Sequence, residues 1–104
     1  MNNTTTISWI LLAIAFASQK FPAGKREISE IADGINHAIP TDKELHASIK
    51  WLLQYEIIIE TNRKFSLSKY GERLIDKAKS EENTIWKTWN NLETHISEIL
   101  ITEK

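Results

Sequence analysis

Arg63, Lys64, Lys69, Arg73, Lys77 and Lys79 crowd into one stretch whose only acids are Glu72 and Asp76, a local balance of +4 in a chain whose formal charge is -1. Cations so placed neutralise phosphates and release their counterions, contacts that hold a protein on nucleic acid without reading its sequence. The same residues also suit a helix kept in solution by Lys and Arg, in which Lys69 and Arg73 repel slightly. Both readings stand. Other chemistry is sparse. The three histidines, His37, His46 and His95, have no paired spacing and no cysteine beside them, so no metal site is expected. Asp33, Asn36 and His37 fall within one helical turn, and the plain account is that Asn36 and His37 satisfy the last carbonyls of a helix that ends before Pro40. No glycine-rich phosphate loop, Ser-His-Asp order or carboxylate pair can be argued, so neither enzyme activity nor a cofactor is expected.

The elements that must carry these residues fit one domain, residues 1–104. Hydrophobic residues make up 41% and charged residues 26% of the chain, enough apolar surface for a core without staples. The absence of cysteine excludes a disulfide framework, a thiolate zinc site and a cysteine nucleophile, and fits a reducing compartment. Near-neutral charge gives no global pull towards nucleic acid or an anionic membrane, so any such affinity must be local. The apolar run from Ile7 to Ala17 ends in Ala15-Phe16-Ala17, which looks like a small-x-small cleavage site, but the residues before it include no Lys or Arg. The run also falls short of the roughly 20 residues that span a bilayer. A buried first helix, a cytoplasmic chain and no membrane contact are therefore expected, and no small-molecule ligand is suggested.

Residues 6–18 are apolar on nearly every side and predict a helix enclosed by its neighbours, with Thr5 or Thr6 as its cap. Phe21-Pro22-Ala23-Gly24 reads as a loop. Ile28, Ile31 and Ile35 predict an amphipathic helix over residues 26–38, ended by Pro40. Thr41 and Glu44 form a capping box, and Leu45, Ile49, Leu52 and Leu53 give the helix that follows a buried stripe to about Tyr55. The period then changes: the β-branched run Ile57-Ile58-Ile59 and the alternating Phe65-Ser66-Leu67, separated by a polar turn, predict a tight hairpin. Ser68 is placed to cap a fourth helix that buries Leu74, Ile75 and Ala78. After a break near Ser80, residues 82–101 carry a stripe of Ile85, Trp89, Leu92, Ile96 and Ile99, with Trp86 beside it.

Three helices followed at once by a tight hairpin is the order of a winged helix-turn-helix, and the resemblance reaches individual residues. Ile49-x-x-Leu52-x-x-x-Glu56-Ile57-Ile58 resembles the end of the third helix and the first wing strand of that superfamily. Phe65-Ser66-Leu67-Ser68-x-x-Gly71-x-x-Leu74 resembles its second wing strand running into the next helix. Together with the preceding helices these cover residues 7–79. The departure is Glu56, where the family usually has glycine for a left-handed turn. The segment from Asp33 to Glu44 is also similar to one in small bacterial proteins of unassigned activity. The resemblance implies a mainly α fold with a small β-hairpin: three helices, a two-stranded wing and two further helices.

The resemblance also implies a DNA-binding transcriptional regulator, with the third helix in the major groove and the wing along the backbone. The outward positions of that helix are Lys43, His46, Ala47, Lys50 and Gln54, and the wing would add Arg63, Lys64 and Lys69. Asp42 and Glu44 cancel the charge of Lys43 and Lys50, and neither Arg nor Asn is present for bidentate base contact, so a solvated face is the alternative. That alternative makes the chain a non-catalytic protein-interaction module on the same frame. A helix of roughly 20 residues is about 30 Å long, and its stripe of Ile85, Trp86, Trp89, Leu92, Ile96 and Ile99 either folds onto the apolar first helix or meets its counterpart in a homodimer. Terminal helices commonly form the contact in dimeric winged-helix regulators.

Overall fold

The computed structural model describes residues 3–79 and 84–102. Its first helix, α1 (Asn3–Ala17), is the axis of the core, with every residue from Thr6 to Ile14 buried. A helix apolar all round must be covered all round. The cover comes from α2 (Lys25–Asn36), α3 (Asp42–Gln54) and α5 (Ile85–Thr102), with α4 (Lys69–Lys79) touching α1 and packing chiefly on α5. Each fully buried Leu or Ile in this cluster contributes roughly 1.5–3 kcal/mol. The whole measures 30 × 29 × 27 Å, and no helix among the described residues is long and apolar enough to cross a membrane.

Helix α1 begins earlier than its apolar pattern suggests, at Asn3, so Thr5 and Thr6 lie inside it rather than capping it. The reason lies in α5: the Thr5 hydroxyl donates to the Glu93 carboxylate, and Trp89 Nε1 donates to the Thr5 carbonyl at 3.1 Å and to Ser8 Oγ at 3.1 Å. Partners from another element thus extend the first turn. On the other side Trp9 Nε1 donates to the Ala32 carbonyl of α2 at 2.9 Å. Among the described residues no buried side-chain polar atom lacks a partner.

Helix α2 ends at Asn36, short of the expected Ala38. His37 takes a left-handed conformation (φ 54°) and its main-chain N–H donates to the Asp33 carbonyl at 2.7 Å. The closure is made by backbone, not by the Asn36 or His37 side chains as the sequence suggested. The Thr41–Glu44 capping box forms as expected, at 2.9 and 3.0 Å. At the other end of α3, the Ile57 N–H reaches the Leu52 carbonyl at 2.9 Å and the Glu56 N–H reaches the Leu53 carbonyl at 3.1 Å, with Glu56 left-handed at φ 58°. This is a Schellman closure, with buried Ile57 and Leu52 as its apolar pair.

Strands β1 (Ile58–Thr61) and β2 (Lys64–Leu67) pair antiparallel in the register Ile58↔Leu67 to Thr61↔Lys64. Only Asn62 and Arg63 lie between them, both at positive φ (52° and 64°), the two-residue turn whose twist matches that of the strands. Ala23, expected in a loop, instead bridges Phe65: each residue's N–H donates to the other's carbonyl at 2.8 Å. Strand β2 therefore has main-chain partners on both sides, whereas β1 pairs with a strand on one side only.

Ser68 locks the hairpin to α4. Its hydroxyl lies 2.6 Å from the Glu56 carbonyl and 2.9 Å from that of Ile57, and accepts from the Gly71 N–H at 3.0 Å, while its own N–H donates to the Ile57 carbonyl. A Cβ on Gly71 would stand 2.1 Å from the Ile57 oxygen, so only glycine permits this approach. Thr84 caps α5, accepting from the Lys87 N–H at 3.3 Å. The expected break near Ser80 and helix start at residue 82 fall outside the described residues.

The stripe expected at a dimer contact is largely internal. Trp89, Leu92 and Ile96 are buried in the chain's own core and Ile99 is half-buried, because α1 has no free face and takes α5 as cover. Ile85 and Trp86 remain exposed, Trp86 stacked on Trp89 at 5.6 Å. A contact through the whole stripe is therefore excluded.

Candidate nucleic-acid interface

Helix α3 is two-faced by spacing. Leu45, Ser48, Ile49 and Leu52 turn into the core, and Lys43, His46, Ala47, Lys50 and Gln54 are exposed. Beside the exposed face stands the hairpin, positioned by the Schellman closure at one end and the Ala23–Phe65 bridge at the other. Between them runs a groove of about 630 Å³ floored by Ile49, Leu53 and Phe65 and rimmed by Lys25, His46, Lys50, Glu60 and Arg63. Three fixed cations face one carboxylate there. Lys25, Lys50 and Arg63 make no ion pair among the described residues, so their charge is available to an anionic partner.

The expected site residues thus divide. His46, Lys50 and Arg63 meet in the groove, although Arg63 is remote from the other two in sequence. Lys64 is exposed next to the turn. Lys43 and Ala47 line a different recess, with Ile7 and Trp51. Lys69 opens onto a third recess beside β1. The basic stretch 63–79 is accordingly not one surface: Lys79 sits over the Phe16 ring, 5.7 Å from its centroid, at the far end of α1.

Lys25 was not among the expected residues. Its charge is legible, but its place is not, since the loop reading of residues 21–24 gives no reason for it to approach the hairpin. The Ala23 bridge to Phe65 supplies that reason, fixing the chain beside β2 just before α2 begins. Gly24, whose N–H donates to the Glu27 carboxylate at 3.1 Å, then starts the helix with Lys25 at its first turn.

Arg63 stands out by its backbone. Asn accepts positive φ readily; arginine does so at an energetic disadvantage, and glycine is the usual second residue of such a turn. A strained conformation held by a long cationic side chain at a groove rim is the kind of local departure that clusters at binding sites. The histidines sit on different elements, and His95 pairs with Glu98 on its own helix at 3.5 Å.

No family model, curated protein or solved structure matches the chain.

Proposed function

We propose that the chain is a winged-helix DNA-binding protein of the regulator type, in which the exposed face of α3 meets the major groove and the hairpin, as the wing, meets the phosphate backbone. One observation carries the reading: Lys50 and His46 from α3, Arg63 from the hairpin turn and Lys25 from the start of α2 share one groove. The order of helices and hairpin and the left-handed Glu56 at the family's glycine position agree with it. Lys50 and Arg63 would hold the duplex by charge, and His46 would be the residue closest to base edges.

The test is binding of a mixed pool of short duplexes at low and at higher salt. Affinity should fall steeply with salt, and Lys50→Glu with Arg63→Glu should abolish it while leaving the circular dichroism spectrum unchanged. Removing a single cation that touches a phosphate should lower the slope of log affinity against log salt by about 0.9. A second reading, a protein-interaction module on the same frame, draws on Glu60 in the rim and the apolar floor of Ile49, Leu53 and Phe65. Indifference to duplex even at low salt would select it.

A further inference from the structure

A serine buried in a helix ordinarily spends its hydroxyl on the carbonyl one turn back. Ser8 and Ser18 do so, donating to the carbonyls of Thr4 and Ile14 at 2.7 and 2.6 Å. Ser48 of α3 is only 2% exposed, yet its hydroxyl makes no hydrogen bond with a described residue. Since every fully buried side-chain polar atom among the described residues has a partner, the sliver of Ser48 that solvent reaches includes this hydroxyl. It opens into a recess of about 370 Å³ between the first turns of α1 and the outer flank of α3, lined by Asn3, Ile7, Lys43, Ala47, Ser48 and Trp51. Two further donors there are uncommitted: neither the Lys43 ammonium nor the Trp51 indole N–H has a partner among the described residues. Glu44, the one acid lining the recess, already holds the Thr41 N–H in the cap of α3.

We propose that this recess binds a small planar aromatic carboxylic acid, with its ring against Trp51 and Ala47 and its carboxylate towards Lys43 and the Ser48 hydroxyl. The class of ligand follows from the lining. Three uncommitted donors, one of them cationic, call for an acceptor-rich anionic group. Trp51, stacked on Tyr55 at 4.4 Å between ring centroids, is a fixed aromatic wall, and Ile7 and Ala47 continue the apolar surface. The size follows from the helix. Lys43 and Trp51 are eight residues apart, about 12 Å along the axis, with Ala47 and Ser48 midway. An acid of one or two fused rings spans that distance, and the volume lies at the small end of the roughly 300–1,000 Å³ of ligand sites. The recess shares no residue with the groove between α3 and the hairpin, so the proposal stands whether or not the chain binds duplex. The sequence suggested no small-molecule ligand because Ser48 reads there as an ordinary helix residue, and only the packing of α1 beside it makes the recess.

The chain has four tryptophans, and their indole N–H signals in a nitrogen–proton correlation spectrum give a local readout. The probe is 2-naphthoate, with 2-naphthamide as its uncharged counterpart, titrated into the full chain. Naphthoate should move the Trp51 signal, assigned by its loss in Trp51→Phe, and leave those of Trp9, Trp86 and Trp89 in place. Lys43→Met should weaken naphthoate about tenfold and naphthamide hardly at all, as expected for one charge-assisted bond. Ser48→Ala should weaken naphthoate about fivefold, the worth of one net hydrogen bond. Ala47→Phe, at an exposed position of α3, should fill the recess and abolish binding with the helical spectrum unchanged. Lys50→Glu with Arg63→Glu, which disables the groove, should bind naphthoate as the parent does. A Trp51 signal unmoved by millimolar naphthoate overturns the proposal. So do equal affinities for acid and amide, binding that survives Ala47→Phe, or binding lost with the groove cations.

Discussion

The α1–α5 contact and the α3–hairpin surface are built in opposite ways. Where α1 meets α5, three tryptophans stack in series, Trp9 on Trp89 at 6.3 Å and Trp89 on Trp86 at 5.6 Å, and both buried indole N–H groups have main-chain acceptors. No described non-glycine residue of α1 or α5 has positive φ. Around the hairpin, Glu56, Asn62 and Arg63 all do, and the cations on the groove rim stand without ionic partners among the described residues. One region keeps an ordinary helical backbone with its buried polar groups partnered; the other takes several left-handed residues at once while exposing charge. Departures of this kind are expected where a surface serves a partner rather than the core.

That contrast can be broken first at its stable end. Trp89→Ala removes a buried indole and its two hydrogen bonds, and urea unfolding should register a drop of about 3–5 kcal/mol. Trp86→Ala, on the same helix but 58% exposed, should forfeit no more than the stacking contribution of about 0.5–1.5 kcal/mol. Equal effects would mean that α5 is not held by the tryptophan facing α1. At the junction between the regions, Gly71→Ala drives a Cβ into the Ile57 carbonyl. The shift of α4 that follows should cost about 1–3 kcal/mol and show as a lower thermal midpoint. Ser68→Ala, which removes the cap of α4 and its tie to Glu56 and Ile57, should cost about 0.5–2 kcal/mol; an unchanged midpoint would show that Gly71 alone holds the junction.

The two regions were also unequally legible in the sequence. The nearly continuous apolar character of residues 7–14, interrupted only by Ser8, implied a helix enclosed by its neighbours, and it is the central one. The Thr41–Glu44 box, the hairpin and the Ser68 cap were readable because each is a local signal whose partners lie within a few residues or on one turn. What escaped was long-range. Ala23 shows no strand pattern of its own and is extended only because Phe65 offers it two hydrogen bonds. Lys25 joins the groove only through that bridge, and Lys43 and Lys50, on one exposed face of α3, part company because the recesses on its two flanks are formed by different elements. The α5 stripe was seen correctly as apolar, but periodicity does not say whether a face is covered by its own chain or by another.

The smallest expected effects probe the strain itself, and they carry the opposite sign. Glu56→Gly and Arg63→Gly each place glycine at a left-handed position, where an L side chain is disfavoured by roughly 1–2 kcal/mol. Part of that gain is cancelled by the greater freedom glycine has in the unfolded chain. Each variant should therefore be more stable than the parent, by up to about 1 kcal/mol, read as a higher urea midpoint at unchanged slope. Their effect on duplex binding should differ. Glu56→Gly alters a backbone turn away from the groove rim and should leave affinity intact. Arg63→Gly relieves the same kind of strain but removes the rim cation, so its gain in stability should come with weaker binding and a shallower salt dependence. If Arg63→Gly stabilises the chain and binds duplex as before, the strained turn is not maintained for phosphate contact, and the contrast between a relaxed core and a strained binding surface no longer explains why arginine occupies that position.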